Sequence, residues 1–393
     1  MKNVHRKGCA AMEQYFDEIT ENFGFGTMRL PVKDGHVDLD QFRDMVDVFM
    51  KAGFHYFDTA HGYMDTESEP AVKACLTDRY PRESYVLTDK LTTSYFSKEE
   101  EIRPFMEKQL ELCGVDYFDF YLMHAQYAEV YEKFKKMHAY ETALQMKKEG
   151  KIRHFGISFH DKAAVLDRIL TEQPGIEVVQ LQFNYVDYED SGIESRLCYE
   201  TCRKHHKPVF VMEPIKGGSL VNLPGEARAV FAALGQEDGK PEQSPASYAI
   251  RFAAGFDGIA MVLSGMSTIE QLRDNIRFMK NFRKLSAKEL EAVGKVRDIF
   301  LSQKLIPCTA CRYCTSGCPK QIDIPEFFSC MNAKKQFNDF NSGWFYYMHS
   351  QRGGKASDCI GCGQCEKSCP QHLPIRELLR DIAAEFEKPQ ENE

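Results

Sequence analysis

The sequence predicts an α/β protein: a (β/α)8 TIM barrel followed by a small, mainly α-helical domain. Three observations predict it. Eight short β-rich runs alternate with longer amphipathic segments up to about residue 283. A helical pattern at 284–301 then leaves that alternation. Beyond Ile306, two four-cysteine runs of identical spacing dominate the chain. At 393 residues, 43% hydrophobic and 27% charged, the chain is long enough for two or three domains and apolar enough for a large core.

Taken in order, strands are expected at Phe23–Thr27, His55–Asp58, Tyr85–Lys90, Phe118–His124, Arg153–Ser158, Val178–Phe183, Pro208–Glu213 and Ile259–Ser264. Helical periodicity lies between them. Phe42, Met45, Val46 and Phe49 share one face of Leu39–Ala52, and Phe105, Met106, Gln109, Leu110 and Cys113 repeat the pattern before the fourth strand. Gly53, Gly114 and Gly150 stand where helices should stop. The connection after the seventh strand, Lys216 to about Pro245, is the long one, and a long loop at that end of a barrel strand usually shapes or covers a substrate. The expected organisation is a barrel over 1–283, a linker helix over 284–303 and a small domain over 304–393. In that domain Phe327, Phe328, Phe340, Trp344, Phe345, Tyr346 and Tyr347 are the expected core, and the tail beyond Phe386 is polar.

Charge and hydropathy exclude several classes. A net charge of −8 argues against an extended nucleic-acid surface. No run approaches the roughly 20 apolar residues that span a bilayer, and residues 1–20 scatter charges among Met12, Tyr15 and Phe16, unlike a signal peptide. The expectation is a cytoplasmic protein.

Both cysteine runs, Cys308-Thr-Ala-Cys311-Arg-Tyr-Cys314-Thr-Ser-Gly-Cys318-Pro319 and Cys359-Ile-Gly-Cys362-Gly-Gln-Cys365-Glu-Lys-Ser-Cys369-Pro370, read C-x2-C-x2-C-x3-C-P. That spacing wraps a [4Fe–4S] cluster, and in two-cluster ferredoxins the fourth cysteine ligates the other cluster. Cys308, Cys311, Cys314 and Cys369 are therefore assigned to one cluster, and Cys359, Cys362, Cys365 and Cys318 to a second, in a ferredoxin-like domain. Zinc sites would show paired C-x2-C motifs across a longer loop, and disulfides would need an oxidising compartment. Of the six other cysteines, Cys9, Cys75, Cys113, Cys198, Cys202 and Cys330, the pair Cys198 and Cys202 would share a helix face, although buried free thiols are common.

A second constellation lies where the barrel strands end. Asp58 and Tyr63 belong to Asp58-Thr-Ala-His-Gly-Tyr63 after the second strand, Lys90 closes the third and His124 the fourth. Chemistry in a (β/α)8 barrel occurs at that rim. An ammonium beside a phenol favours phenolate, and a carboxylate holds the ammonium. Such a tyrosine can protonate an alkoxide as hydride reaches a carbonyl carbon, while histidine orients the carbonyl oxygen. Taken singly, each residue has an ordinary structural use: a helix cap, a surface phenol, a rim ion pair, a satisfied histidine.

Residues 23–283 resemble the aldo-keto reductase family. The motifs that carry the resemblance are Gly24-Phe-Gly-Thr-Met-Arg-Leu-Pro31, Asp58-Thr-Ala-x-x-Tyr63, Asp116-Tyr-Phe-Asp-Phe-Tyr-Leu-Met-His124, Gly156-Ile-Ser158 and Gln180-Leu-Gln-Phe-Asn-Tyr185, in the family's order. With the cysteine runs, the whole is similar to the family's iron–sulfur subgroup. The resemblance implies an NAD(P)-dependent oxidoreductase whose catalytic tetrad is Asp58, Tyr63, Lys90 and His124, with Tyr63 as general acid/base. It implies that Ser158 and Gln180 hold the nicotinamide carboxamide, that Met212 replaces the aromatic residue that stacks on the nicotinamide, and that Gly217, Gly218 and Leu220 contact the pyrophosphate. Gly26, Thr27 and Met28 of the first motif are further implied cofactor contacts. Gly265, Met266, Ser267 and Thr268, with Gln271 and Asn275, match the segment that receives the adenosine. There the chain departs from the NADPH pattern: Gly265 and Gln271 stand where many members carry Lys and Arg, so NADH and NADPH both stay open, with Arg273 and Arg277 as alternative cations.

Two halves with different electron stoichiometry leave three readings. In the first, the barrel interconverts a small carbonyl and alcohol and the clusters are structural or regulatory. In the second, the clusters link a ferredoxin-like partner to the barrel site through a flavin. In the third, the chain is an electron-transfer subunit with an idle barrel, which the intact tetrad opposes. Arg29, His61, Tyr95, Gln126 and His160 are candidates for the substrate rim, and the post-barrel helix and cluster domain offer surfaces for a homodimer.

Overall fold

The computed structural model describes residues 15–238, 243–337 and 342–387. Its central feature is a closed barrel of eight parallel strands: β1 (Phe23–Gly26), β2 (Tyr56–Asp58), β3 (Val86–Leu91), β4 (Phe118–Gln126), β5 (Ile152–Phe159), β6 (Val178–Gln182), β7 (Val209–Met212) and β8 (Ile259–Gly265). Each strand pairs with the next and β8 closes onto β1. The (β/α)8 expectation is borne out, with strand limits within two residues of those read from the sequence.

The helices form where apolar spacing and caps agree. Asp38 Oδ1 accepts from Gln41 N–H at 3.0 Å and starts Leu39–Lys51, which buries Phe42, Met45, Val46 and Phe49. Ile102–Cys113 stops at Gly114, whose φ of 66° suits a residue without Cβ. The barrel interior is filled by Tyr56, Phe120, Phe210 and Met261, and Phe16 enters from the segment before β1 to meet Phe120 edge-on at 4.9 Å. Gly156 is required by this packing: a Cβ there would fall 2.5 Å from Val178 Cγ1. A short hairpin, Val32–Lys33 with His36–Val37, was not anticipated; it turns at Asp34-Gly35, both with positive φ.

The chain divides into two compact units, Met1–Pro214 with Ala246–Leu290 and Ile215–Pro245 with Glu291–Glu393. These limits differ from the expected 1–283, 284–303 and 304–393. The helix Ala287–Ser302 falls largely in the second unit, and the loop after β7 joins the cysteine-bearing segment instead of the barrel. The reason is local packing, since a Cβ on Gly217 would lie 2.6 Å from Thr309 O.

The second unit has its own core, in which Ile322, Ile324, Phe327, Phe328, Ile375, Leu379 and Ile382 pack with Cys314, Cys365 and Cys369. The expected aromatic core needs correction. Phe327, Phe328 and Tyr346 are buried, but Trp344, Phe345 and Tyr347 are 59%, 45% and 57% exposed. Helix Ser342–Ser350 buries Ser342, Tyr346 and Ser350, one face at four-residue spacing, which turns the other aromatics outward. Phe340, Cys9 and the tail from 388 lie outside the described residues. Among the described residues no helix is long and apolar enough to cross a membrane.

Candidate active site

The parallel register brings the ends of β2, β3, β4, β5 and β6 to one rim. Asp58 pairs with Thr88, Lys90 with Leu122, and Ser158 with Gln180. Period-two alternation then sends Asp58, Lys90 and His124 inward, where they are 3%, 1% and 5% exposed. The Lys90 ammonium donates to Asp58 Oδ1 at 2.6 Å and to Thr59 O at 2.7 Å. It also lies 4.7 Å from the centroid of the Tyr63 ring, and that ring stands 6.0 Å from the His124 ring. Tyr63 is itself buried. It is presented by a tight turn, Met64, Asp65 and Thr66 having φ of 52°, 52° and 71°. Three consecutive left-handed non-glycine residues are strained and persist only where their surroundings enforce them.

Electrostatics follow from burial. Desolvation raises the Asp58 carboxyl above its ordinary value, opposed by the Lys90 ammonium. Desolvation, Lys90 and His160 together hold His124 well below the usual imidazole range, so His124 is neutral at neutral pH. Its Nδ1 lies 2.6 Å from Thr92 Oγ1. A neutral imidazole, a phenol and a buried ammonium around one space can polarise a carbonyl and move one proton.

Beneath the rim lies a network that sequence spacing did not reveal. His61 Nδ1 lies 2.6 Å from Glu69 Oε2, and Gln109 Nε2 donates to Glu69 Oε1 and to Asp89 Oδ1, both at 3.0 Å. Burial raises the Glu69 carboxyl, and burial with the neighbouring Glu69 raises Asp89 well above the usual carboxylate range. Glu69, Asp89 and Gln109 come from separate elements, 20 or more residues apart in pairs, and no short motif signals them.

The residues expected at the nicotinamide fall into two groups. Ser158 and Gln180 share the rim with the tetrad: Ser158 Oγ accepts from Ala125 N–H at 2.8 Å, and Gln180 Nε2 faces Asp58 Oδ2 at 3.4 Å. Gln180 Oε1 is buried with no hydrogen-bond partner, a vacant acceptor that fits the N–H of a carboxamide. Met212 ends β7 opposite Gln182. Thr27 Oγ1 donates to Asp58 O at 2.9 Å, in the short turn Thr27–Arg29 that also contains Met28 and follows Gly26. At the end of β8, Asn275 Nδ2 donates to Ser264 Oγ at 2.8 Å, Ser267 N–H to Gln271 Oε1 at 2.8 Å, and Thr268 caps Ile269–Met279. Met266 is buried and Gly265 lies against Arg29, where a Cβ would be 3.5 Å from Arg29 Cβ. Arg29, expected on the substrate rim, thus adjoins the Gly265–Thr268 segment, while Arg277 is paired with Asp274. Gly217, Gly218 and Leu220 belong to the second unit. Of the other rim candidates, Tyr95 is 38% exposed, His61 enters the carboxyl network, Gln126 accepts from Tyr140 and His160 faces Gln182.

In the second unit the eight cysteines stand around two separate spaces. Cys308, Cys311, Cys314 and Cys369 line one, and Cys318, Cys359, Cys362 and Cys365 the other. Burial and the neighbouring Cys311, Cys308 and Cys369 raise the Cys314 thiol, and burial with Glu366, Cys359 and Cys318 pushes Cys365 up to about 11. Among the described residues no group of three or more His, Cys, Asp or Glu side chains is placed to hold a single metal ion. Cys198 and Cys202 are buried thiols outside any such group.

Comparisons with known proteins agree with this geometry. The Aldo/keto reductase family matches residues 22–298 and the 4Fe-4S dicluster domain residues 307–373. The chain is similar to the NADH-specific methylglyoxal reductase of Escherichia coli, 24% identical over 66% of this chain and 90% of the relative. It is 25% identical to L-galactose dehydrogenase of Arabidopsis thaliana over 69% of this chain and 85% of that one. In fold it is similar to an aldo-keto reductase from Klebsiella pneumoniae solved with NADPH, with a TM-score of 0.55 at 20% identity over 70% of this chain and 90% of that one. A closed eight-stranded barrel and a family match over more than two thirds of its length make the chain an oxidoreductase of the aldo/keto reductase family, with a 4Fe-4S dicluster domain C-terminal to the barrel in sequence.

Proposed function

We propose that the protein interconverts a small carbonyl compound and its alcohol at the barrel rim, using NADH or NADPH, in the cytoplasm. The observation that carries this reading is the Lys90 ammonium, held by Asp58 at 2.6 Å and set against the ring of Tyr63. When bound, the nicotinamide supplies or takes the hydride. Tyr63 gives its hydroxyl proton to the substrate oxygen as alkoxide character develops, and recovers it in the reverse direction. Lys90 favours the resulting phenolate, and Asp58 holds the ammonium in place. His124, neutral, donates from Nε2 to the carbonyl oxygen. Gln180 Oε1 and Ser158 are suited to the nicotinamide carboxamide, Met212 to the ring's face, and the Gly265–Thr268 segment with Gln271, Asn275 and Arg29 to the adenosine end. Relatives described as NADH-specific and as bound to NADPH leave both nucleotides in play.

Eight thiols in two sets fit two [4Fe–4S] clusters, one held by Cys308, Cys311, Cys314 and Cys369 and the other by Cys318, Cys359, Cys362 and Cys365. One observation favours a redox use for them: Cys362 is exposed, so the second cluster would present an edge to solvent. That supports a second reading, exchange of single electrons with a ferredoxin-like partner, coupled to the barrel chemistry through a flavin.

Tyr63→Phe tests the first reading. It should lower kcat by roughly 10²–10⁴ with the iron content unchanged. Undiminished turnover of a good carbonyl substrate by that variant would sink the assignment of Tyr63. Anaerobic addition of NADH or NADPH separates the two readings, since bleaching of cluster absorbance within one turnover would favour the second.

A further inference from the structure

The loop after β7 contributes a buried cation to the cysteine-bearing unit. Lys216 is 2% exposed and adopts a φ of 47°, a left-handed conformation strained for lysine. Its Nζ donates to Gln371 Oε1 at 3.0 Å, within a buried contact. Gln371 and Thr309 both line the space enclosed by Cys308, Cys311, Cys314 and Cys369. The next residue, Gly217, has a φ of 65°, and a Cβ there would lie 2.6 Å from Thr309 O and 2.8 Å from Thr309 Cα. Chain 216–217 is therefore pressed onto the wall of the first cluster space, with the ammonium one side chain behind it.

The surroundings of the two spaces differ in kind. Arg312, at the first, is exposed and paired with Asp323 and Glu326. The lining of the second includes Lys320, which is exposed, and nearby Arg376 is paired with Glu366. Exposed charges are screened by water, whereas a buried charge acts through a low dielectric. A cube held by four thiolates carries net negative charge and gains another on reduction, so a buried cation favours its reduced state.

We propose that Lys216 is a positioning residue for the first cluster, acting through Gln371 to raise its reduction potential above that of the second, so that an electron received at the solvent-facing second cluster comes to rest on the first. The proposal rests on the reading that both cysteine sets hold [4Fe–4S] clusters. Transfer moves one electron, oxidising the second cluster and reducing the first, with no bond made or broken.

The test is an anaerobic redox titration of the whole, cluster-loaded protein followed by EPR, with iron counted on the same sample. Wild type should show two separate midpoints. Lys216→Met should lower the upper midpoint by at least a tenfold change in the reduction equilibrium, which is 59 mV for a one-electron couple, and leave the lower one in place. Lys216→Arg should keep both. An upper midpoint within threefold of wild type in Lys216→Met would overturn the proposal, as would equal shifts in Lys216→Arg and Lys216→Met, which would trace the effect to packing. If Lys216→Met does not load its clusters, Gln371→Glu decides. Its carboxylate offsets the ammonium at the same hydrogen bond, so a lowered upper midpoint supports the proposal and an unmoved one overturns it. Eight irons per chain with unmoved midpoints would overturn the proposal alone; fewer than eight in wild type would overturn the two-cluster reading and the proposal with it.

Discussion

In the barrel the buried charge of Lys90 has its partners in place: Asp58 and the Thr59 carbonyl accept from it, and Gln180 faces the other carboxylate oxygen. In the second unit Cys314 is buried among Cys308, Cys311 and Cys369, each of which opposes its ionisation. The barrel rim is thus complete as protein, stiffened by strands on both sides. The cysteine sets line two spaces, and Cys314, Cys365 and Cys369 are themselves part of that unit's core, so the clusters proposed for them would be held by core residues. One site is prepared by folding; the other takes part in folding.

Three perturbations should break or sharpen that contrast. The largest effect is expected from iron. Anaerobic chelation of the full chain should abolish the calorimetric unfolding transition of the second unit and leave that of the barrel. A single transition lost or kept as a whole would show that the two units do not differ in this way. A smaller effect should follow from Asp58→Asn, which leaves the ammonium buried without its counter-charge. Barrel stability should fall by about 3 kcal/mol in urea unfolding, with loss of turnover and no change in cluster absorbance. A change near zero would mean that water or another group replaces the carboxylate.

The smallest concerns His154 at the other end of the barrel. Burial alone would lower this imidazole, but its hydrogen bonds to Glu177 and Glu18 outweigh it and bring it to about 9. Its folded value lies above the ordinary 6.5, so the stabilisation is complete below pH 6.5 and is lost as pH rises through 9. The group is partly exposed, and solvent screening reduces the effect to about 1–2 kcal/mol. His154→Gln should remove that slope between pH 6 and pH 9; a slope unchanged in the variant would assign it elsewhere.

Much of this was legible in the amino-acid order because it depends on short-range periodicity. Strand and helix alternation, Gly114 as a helix stop, the four residues at strand ends and the two cysteine runs are all local patterns, and local patterns survive in one dimension. The tertiary structure alone decided what depends on meeting across distance. Glu69, Asp89 and Gln109 share a buried hydrogen-bond network because three elements converge. Trp344 and Tyr347 face outward because their helix spends its single buried face on Tyr346. Lys216 belongs with the cysteines because Gly217 lets the chain lie against Thr309, 92 positions further along. Composition and spacing specify which chemistry a residue can offer; only packing fixes its neighbours, because burial and close approach depend on every element that meets there.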